Sequence, residues 1–145
     1  MDNILYEKKE ADALTYSEKN ESWRHEAEVL KANLIFEHAK GINSLVDIGC
    51  AWGQTLKQLV GTIPKLAGVD ESLDRLKSLQ ENNDNIKTYQ CRSTDLTLPD
   101  NSYDAVLMSH IMHEIKLFGT KDDFSRSLSE IKRVLTTNGK FIIID

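Results

Sequence analysis

The sequence predicts an α/β fold, a parallel, doubly wound sheet interleaved with helices, and three observations support that reading. Short, near-continuous apolar runs at residues 45–48, 66–69 and 103–109 have the composition of strands buried on both faces. Stretches with helical apolar spacing separate them. The first run also breaks, through Asp47-Ile48-Gly49-Cys50-Ala51-Trp52-Gly53, into a turn of small residues, as a buried parallel strand does when it hands over to a helix in a nucleotide-binding unit.

Residues 1–21 are polar and charged, with Tyr6, Leu14 and Tyr16 as isolated apolar points. From Ser22, which can cap a helix, Trp23, Ala27, Leu30, Leu34 and Phe36 form an apolar stripe, and Gly41 is suited to stop it. Trp23 is expected to pack in the core. After the turn, residues 54–60 read as a helix on Leu56, Leu59 and Val60, ending at Gly61. Residues 66–70 form a second strand that ends in Asp70, with a helix over 72–80 directly behind it. Residues 86–91 alternate like a strand near an edge. A loop carrying Pro99-Asp100-Asn101 leads into the strand at 103–109. A helix over 122–135 places Phe124, Leu128, Ile131 and Leu135 on one face. Thr137-Asn138-Gly139-Lys140 then turns into a last strand, Phe141-Ile142-Ile143-Ile144.

Strands alternating with helices in this way give the spatial order 3-2-1-4-5. Ligands in such sheets bind at the carboxyl ends of the strands, around the switch between the first and the fourth. Gly49, Asp70, the loop after Cys91 and the pair Ser109-His110 all fall there. The chain of 145 residues reads as one domain, with a helical cap at 1–40 and an α/β core at 41–145.

Composition narrows the partners. Eighteen basic against 23 acidic residues leave a net charge of −5, which argues against a nucleic-acid partner. Two cysteines, Cys50 and Cys91, are too few for a disulfide framework and fit a reducing compartment. With no apolar run of membrane-spanning length and no signal-peptide layout at the N-terminus, the expectation is a soluble, cytoplasmic protein with no membrane partner.

The turn itself excludes two ligand classes. A dinucleotide fingerprint wants a small sixth residue, and Gln54 stands there; a Walker loop wants Gly-Lys-Ser/Thr, which does not follow Gly53. Asp70, at the end of the second strand, can accept hydrogen bonds from both hydroxyls of a ribose, or can cap the following helix. His110-x-x-His113-Glu114 is not the His-Glu-x-x-His zinc pattern, so no metal is assigned. Cys50 has no activating base nearby in sequence.

Several ordered stretches between residues 45 and 145 resemble the small-molecule, type 11-like branch of the class I S-adenosylmethionine-dependent methyltransferases. Val46-Asp47-Ile48-Gly49-Cys50-Ala51-Trp52-Gly53 is similar to its first motif and Gly68-Val69-Asp70 to its ribose-binding strand end. Leu98-Pro99-Asp100-Asn101-Ser102-Tyr103-Asp104-Ala105-Val106 is similar to its approach to strand four, Ser109-His110-Ile111-Met112-His113-Glu114-Ile115 to the segment after it, and Val134-Leu135-Thr136-Thr137-Asn138-Gly139-Lys140-Phe141 to the start of strand five.

The resemblance implies a Rossmann-like methyltransferase sheet with S-adenosylmethionine as cofactor and a small-molecule methyl acceptor. It places Gly49, Cys50, Ala51 and Gly53 at the methionine part, with Asp47 near the amino group, and Asp70 on the ribose. Cys91, Arg92 and Ser93 then flank the adenine, Ser109 and His110 lie near the sulfonium methyl, and His110 or His113 stands as a catalytic base for a protonated acceptor.

Three departures accompany it. Ala51 replaces the middle glycine, which suits a negative φ. Arg92 stands where the family has an acid, and arginine cannot accept from an adenine amine. The family's β6–β7 hairpin has no counterpart, so the apolar last strand calls for more chain or for a second copy, as in a homodimer, to cover its edge. The alternative function is a catalytically degenerate cofactor-binding domain acting through a protein partner.

Overall fold

The structure, a computed structural model, describes residues 21–144; the expectations for residues 1–20 and for the Trp23 side chain lie outside the described residues. Five strands, β1 (Ser44–Ile48), β2 (Lys65–Asp70), β3 (Ile86–Gln90), β4 (Tyr103–Ser109) and β5 (Leu135–Ile144), form one sheet. Its order is β3-β2-β1-β4-β5, and every pairing is parallel. The central strand β1 is buried along its whole length, as its unbroken apolar run requires.

Among the described residues five helices cover the two faces. On one side α1 (Glu21–His38), α2 (Gln54–Leu59) and α3 (Leu73–Glu81) pack Ala32, Ile35, Leu56, Leu59, Leu76 and Leu79 against Leu45 and Leu107. On the other, α4 (Met112–Phe118) and α5 (Lys121–Val134) set Ile115, Ile131 and Val134 against Val46, Ile48, Val69 and Met108. Successive residues of a strand point to opposite faces, so Asp47 shares the α1 side with Leu45, and Ser109 shares it with Leu107.

Two predicted faces are rotated. Leu30 and Leu34 of α1 are 61% and 40% exposed, and Ala32, Ile35 and Ala39 are buried in their place. The inward side of α1 also carries Glu28 and Lys31, each about one-fifth exposed, and those polar residues hid the true stripe. On α5, Leu128 is exposed while Ser127, Ile131 and Val134 are buried. Thr120 and Asp123 close a capping box at the start of that helix.

The last strand starts earlier than expected. Leu135 pairs with Tyr103 and Lys140 with Ala105, so five steps of β5 face two of β4. The predicted turn residues Thr137 to Lys140 survive as an irregularity inside the strand. β3 and β5 are the two edges.

The loop between β3 and β4 is fastened by Arg133 of α5. Its guanidinium donates to the carbonyls of Leu98 and Leu96 at 2.8 Å each and to the carboxylates of Asp100 and Glu130, and Glu130 accepts from the Leu96 N–H at 2.7 Å. Replacing Arg133 with Met should cost about 2–3 kcal/mol, because two carbonyls lose a charged donor; urea unfolding checks this, and a change under 0.5 kcal/mol would show that the loop holds itself.

Candidate functional site

The switch in strand order brings the carboxyl ends of β1, β2 and β4 to one rim. The turn after β1 is tied to the end of β2. The N–H groups of Gly49 and Cys50 both donate to the Val69 carbonyl, at 2.7 and 2.9 Å, and that of Gly53 donates to Cys50 O. Ala51 N–H donates to Asp70 Oδ2 at 3.0 Å. These four donors of the turn are therefore spent within the protein.

The turn depends on glycine. Gly49 has φ +77°, and a Cβ there would lie 2.5 Å from Ile111 Cγ1; Gly53, with φ +71°, backs onto the Leu79 side chain. Gly53 precedes α2 directly, so it sets the packing of α2 against α3. Ala51 departs from the negative φ expected for it, since its φ is +50°. The chain turns here from β1 toward α2 with left-handed backbone at Gly49, Ala51 and Gly53 alike. An L-residue in that region carries a cost of about 1–2 kcal/mol.

Asp70 is 8% exposed and holds two turns at once. Its Oδ2 takes Ala51 N–H, its Oδ1 accepts from Ser72 N–H at 2.9 Å, and Arg75 Nη1 stands 3.9 Å from Oδ1. Ser72, not Asp70, is the N-cap of α3, accepting from Arg75 N–H.

A cavity of about 800 Å³ opens beside these groups, within the range of about 300–1,000 Å³ usual for ligand sites. Its walls include Gly49, Asp70, Arg92 and Ser93 from the sequence-predicted set. Glu71, Arg75, Thr94, Ile111, Phe118 and Asp123 join them, and sequence reasoning assigned none of these a site role. Arg92 forms an ion pair with Glu71, so the position that carries an acid in the resembling family instead bears a cation matched by an acid from the neighbouring strand end. The Ser93 hydroxyl is 2.9 Å from that of buried Ser127, which leaves the backbone near Ser93 to face the cavity.

Cys91, also from that set, lines the cavity, whereas Asp47, Cys50, Ala51, Gly53, Ser109 and His110 are not among its walls. The Cys50 side chain is buried over Gly68, where an added Cβ would sit 2.6 Å from its Sγ, and burial pushes its thiol well above the ordinary range. The Cys50 side chain is thus packed in the core and not in the cavity wall. His110 is exposed just past β4, with φ +58°, and its N–H donates to Ile144 O at 2.8 Å, extending the β4–β5 ladder. His113 falls within α4; its side chain lies outside the described residues.

On the α1 side of the turn, two buried oxygens have no hydrogen-bond partner among the described residues: Asp47 Oδ1 and Ser109 Oγ. Asp47 is 3% exposed. Burial pushes its carboxyl up to about 8; the Lys31 charge pulls it back, and Glu28 and Asp70 raise it further.

Sheet order and the placement of the turn define a Rossmann-like methyltransferase fold. A family described as a methyltransferase domain matches residues 46–143, and the chain belongs to that family. It is 29% identical over 116 residues to a 2-phytyl-1,4-naphtoquinone methyltransferase of Nostoc, a match covering 74% of this chain and 48% of the relative. The crystal structure of YcgJ from Bacillus subtilis superposes with a TM-score of 0.66 at 21% identity, over 77% of this chain and 48% of that one. CalS10 of Micromonospora echinaspora, an amino pentose methyltransferase solved with S-adenosylmethionine bound, gives 0.71 at 18%, over 92% and 55%. The chain spans about half the length of the curated relatives it matches. Among the described residues no helix is long and apolar enough to cross a membrane.

Two outcomes are expected. Ala51→Gly should stabilise the fold by about 0.5–1 kcal/mol, the left-handed cost less the extra chain entropy of glycine, read as a higher urea midpoint. Between about pH 4 and 8 the folded state keeps a proton on Asp47 that the unfolded chain, with its ordinary value of 3.8, has lost. Folded protein then binds more protons, so stability falls as pH rises through that window, by up to about 1.4 kcal/mol per unit. Asp47→Asn should flatten this slope in unfolding curves at successive pH values; an unchanged slope would place its origin elsewhere.

Proposed function

We propose that this chain is the cofactor-binding core of an S-adenosylmethionine-dependent methyltransferase that acts on a small-molecule acceptor by in-line displacement. The observation carrying this reading is the Asp70 carboxylate, fixed at the end of β2 in the wall of the cavity and tied to the glycine turn after β1. The residues fit the cofactor: a Gly49 whose lack of a Cβ lets Ile111 close over the turn, a ribose-height acid, and a buried carboxyl oxygen on Asp47 without a partner among the described residues that calls for a donor such as an ammonium.

In this reading each oxygen of Asp70, already holding one N–H, accepts from a ribose hydroxyl with a remaining lone pair. Ile111, Cys91 and the backbone near Ser93 enclose the adenine, and the Arg92–Glu71 pair lies along its edge. The backbone of Gly49, Cys50 and Ala51, with Asp47, meets the methionine end, and Gly53 keeps α2 clear of it. Ser109 and His110 stand at the end of β4, next to the reacting carbon.

Bound there, the cofactor supplies a methyl group already activated on a cationic sulfur. What the chain contributes is alignment and exclusion of water, and, for a protonated acceptor, removal of its proton. His110, exposed at the rim, and His113 on α4 are the bases assigned to that step. The net charge of −5 supports a small molecule over a nucleic acid as acceptor.

Calorimetric titration with S-adenosylhomocysteine, run beside NAD, tests the reading. The expected result is binding of the first and none of the second. Asp70→Asn, which keeps the shape of the side chain, should weaken binding by about 1.5–3 kcal/mol. Full affinity in a folded Asp70→Asn protein would remove Asp70 from the site. Turnover with a quinol or amine acceptor then separates an enzyme from a degenerate cofactor-binding domain.

A further inference from the structure

Helix α5 runs beside the β3–β4 loop and holds it in register. Ser127 Oγ is 2.9 Å from Ser93 Oγ, Glu130 accepts from Leu96 N–H at 2.7 Å, and Arg133 donates to the carbonyls of Leu96 and Leu98. As the loop advances from Ser93 to Leu98, the helix advances from Ser127 to Arg133. Residues four apart lie on one face of a helix. One turn back from Ser127 the same face therefore presents Asp123, level with the start of the loop at Cys91 and Arg92. Asp123, Cys91, Arg92 and Ser93 all line the cavity.

Asp123 differs from the other three helix residues in what its side chain holds. Its Oδ2 accepts from Thr120 N–H at 2.9 Å and from Thr120 Oγ1 at 3.0 Å, closing the capping box. Among the described residues its Oδ1 accepts no hydrogen bond. The Thr120 bonds keep the carboxyl below its ordinary value, so it is an ionised acceptor at neutral pH, and with Oδ2 pinned twice it is oriented before a ligand arrives. The other acids of the cavity wall are committed. Asp70 holds the N–H groups of Ala51 and Ser72, and Glu71 is paired with Arg92.

We infer that Asp123 is a specificity-determining residue of the base pocket: its Oδ1 accepts a hydrogen bond from the exocyclic amine of adenine, and so selects that base over a purine lacking the donor. The inference rests on the cofactor reading above, which sets the base between Ile111 and the backbone near Ser93. Because Ser127 touches Ser93, a base lying there has the first turn of α5 along one edge, where Asp123 stands. Arg92 cannot take this part, since a guanidinium only donates. An amine suits a charged acceptor, whose hydrogen bonds are roughly twice as strong as those between neutral groups. The residue that closes α5 thus also reads the ligand.

Calorimetry with two ligands tests this: S-adenosylhomocysteine, and its purine analogue carrying hydrogen in place of the exocyclic amine. Wild type should bind the analogue about ten- to a hundredfold more weakly, the range of a hydrogen bond to a charged acceptor. Asp123→Asn keeps an oxygen for the Thr120 cap and sets a donor where the carboxylate had an acceptor. It should lose a similar factor on S-adenosylhomocysteine and bind the analogue as wild type does, so that a cycle over both proteins and both ligands isolates the contact. Equal affinity of wild type for the two ligands would overturn the inference. An equal loss of both in Asp123→Asn would also overturn it, since a structural role through the helix cap does not depend on the amine. If wild type binds neither ligand, the cofactor reading itself fails. Circular dichroism of both proteins confirms that folded protein is being compared.

Discussion

One carboxylate carries the geometry of the site. Asp70 reaches from the end of β2 to the N–H of Ala51 in the turn after β1 and to its own Ser72 N–H. With Gly49 and Cys50 both donating to Val69 O, the first turn is stitched to the second strand at three points. In the same turn an alanine is held at φ +50°, with a glycine two residues away on each side. A left-handed alanine costs about 1–2 kcal/mol, which a hydrogen bond to a charged, nearly buried acceptor, worth about 1.5–3 kcal/mol, offsets. The turn is therefore rigid before any ligand arrives, and binding need not order it.

Rigidity on that side contrasts with unspent polarity on the other. The cavity wall pairs its charges, Arg92 with Glu71 and Arg75 near Asp70, whereas Asp47 Oδ1 and Ser109 Oγ are buried without partners on neighbouring strands. Unsatisfied buried groups each cost about 1–3 kcal/mol. They persist at functional sites because a ligand completes them.

How far these features could be read from sequence followed from how local they were. β1, β2 and β4 announce themselves because burial on both faces demands apolar runs, and the order of strands follows from the connection rules. Gly49, Gly53 and Asp70 were legible because backbone approach and strand-end acids need particular residue types at fixed spacing. The inward face of α1 was not, since it carries Glu28 and Lys31 while Leu30 and Leu34 face outward. Ala51 misled as well: its φ follows the left-handed backbone of the turn around it, not its residue type. The start of β5 was misplaced because a turn-like sequence can be absorbed as an irregularity when the strand beside it is already fixed.

The position of Asp47 shows how stability and recognition are balanced in one residue. A buried acid with an unpartnered oxygen weakens the fold at neutral pH, where the unfolded chain ionises freely. Replacing it by an apolar residue of similar volume would relieve that penalty. The same burial makes an ion pair formed there strong, because little water screens it.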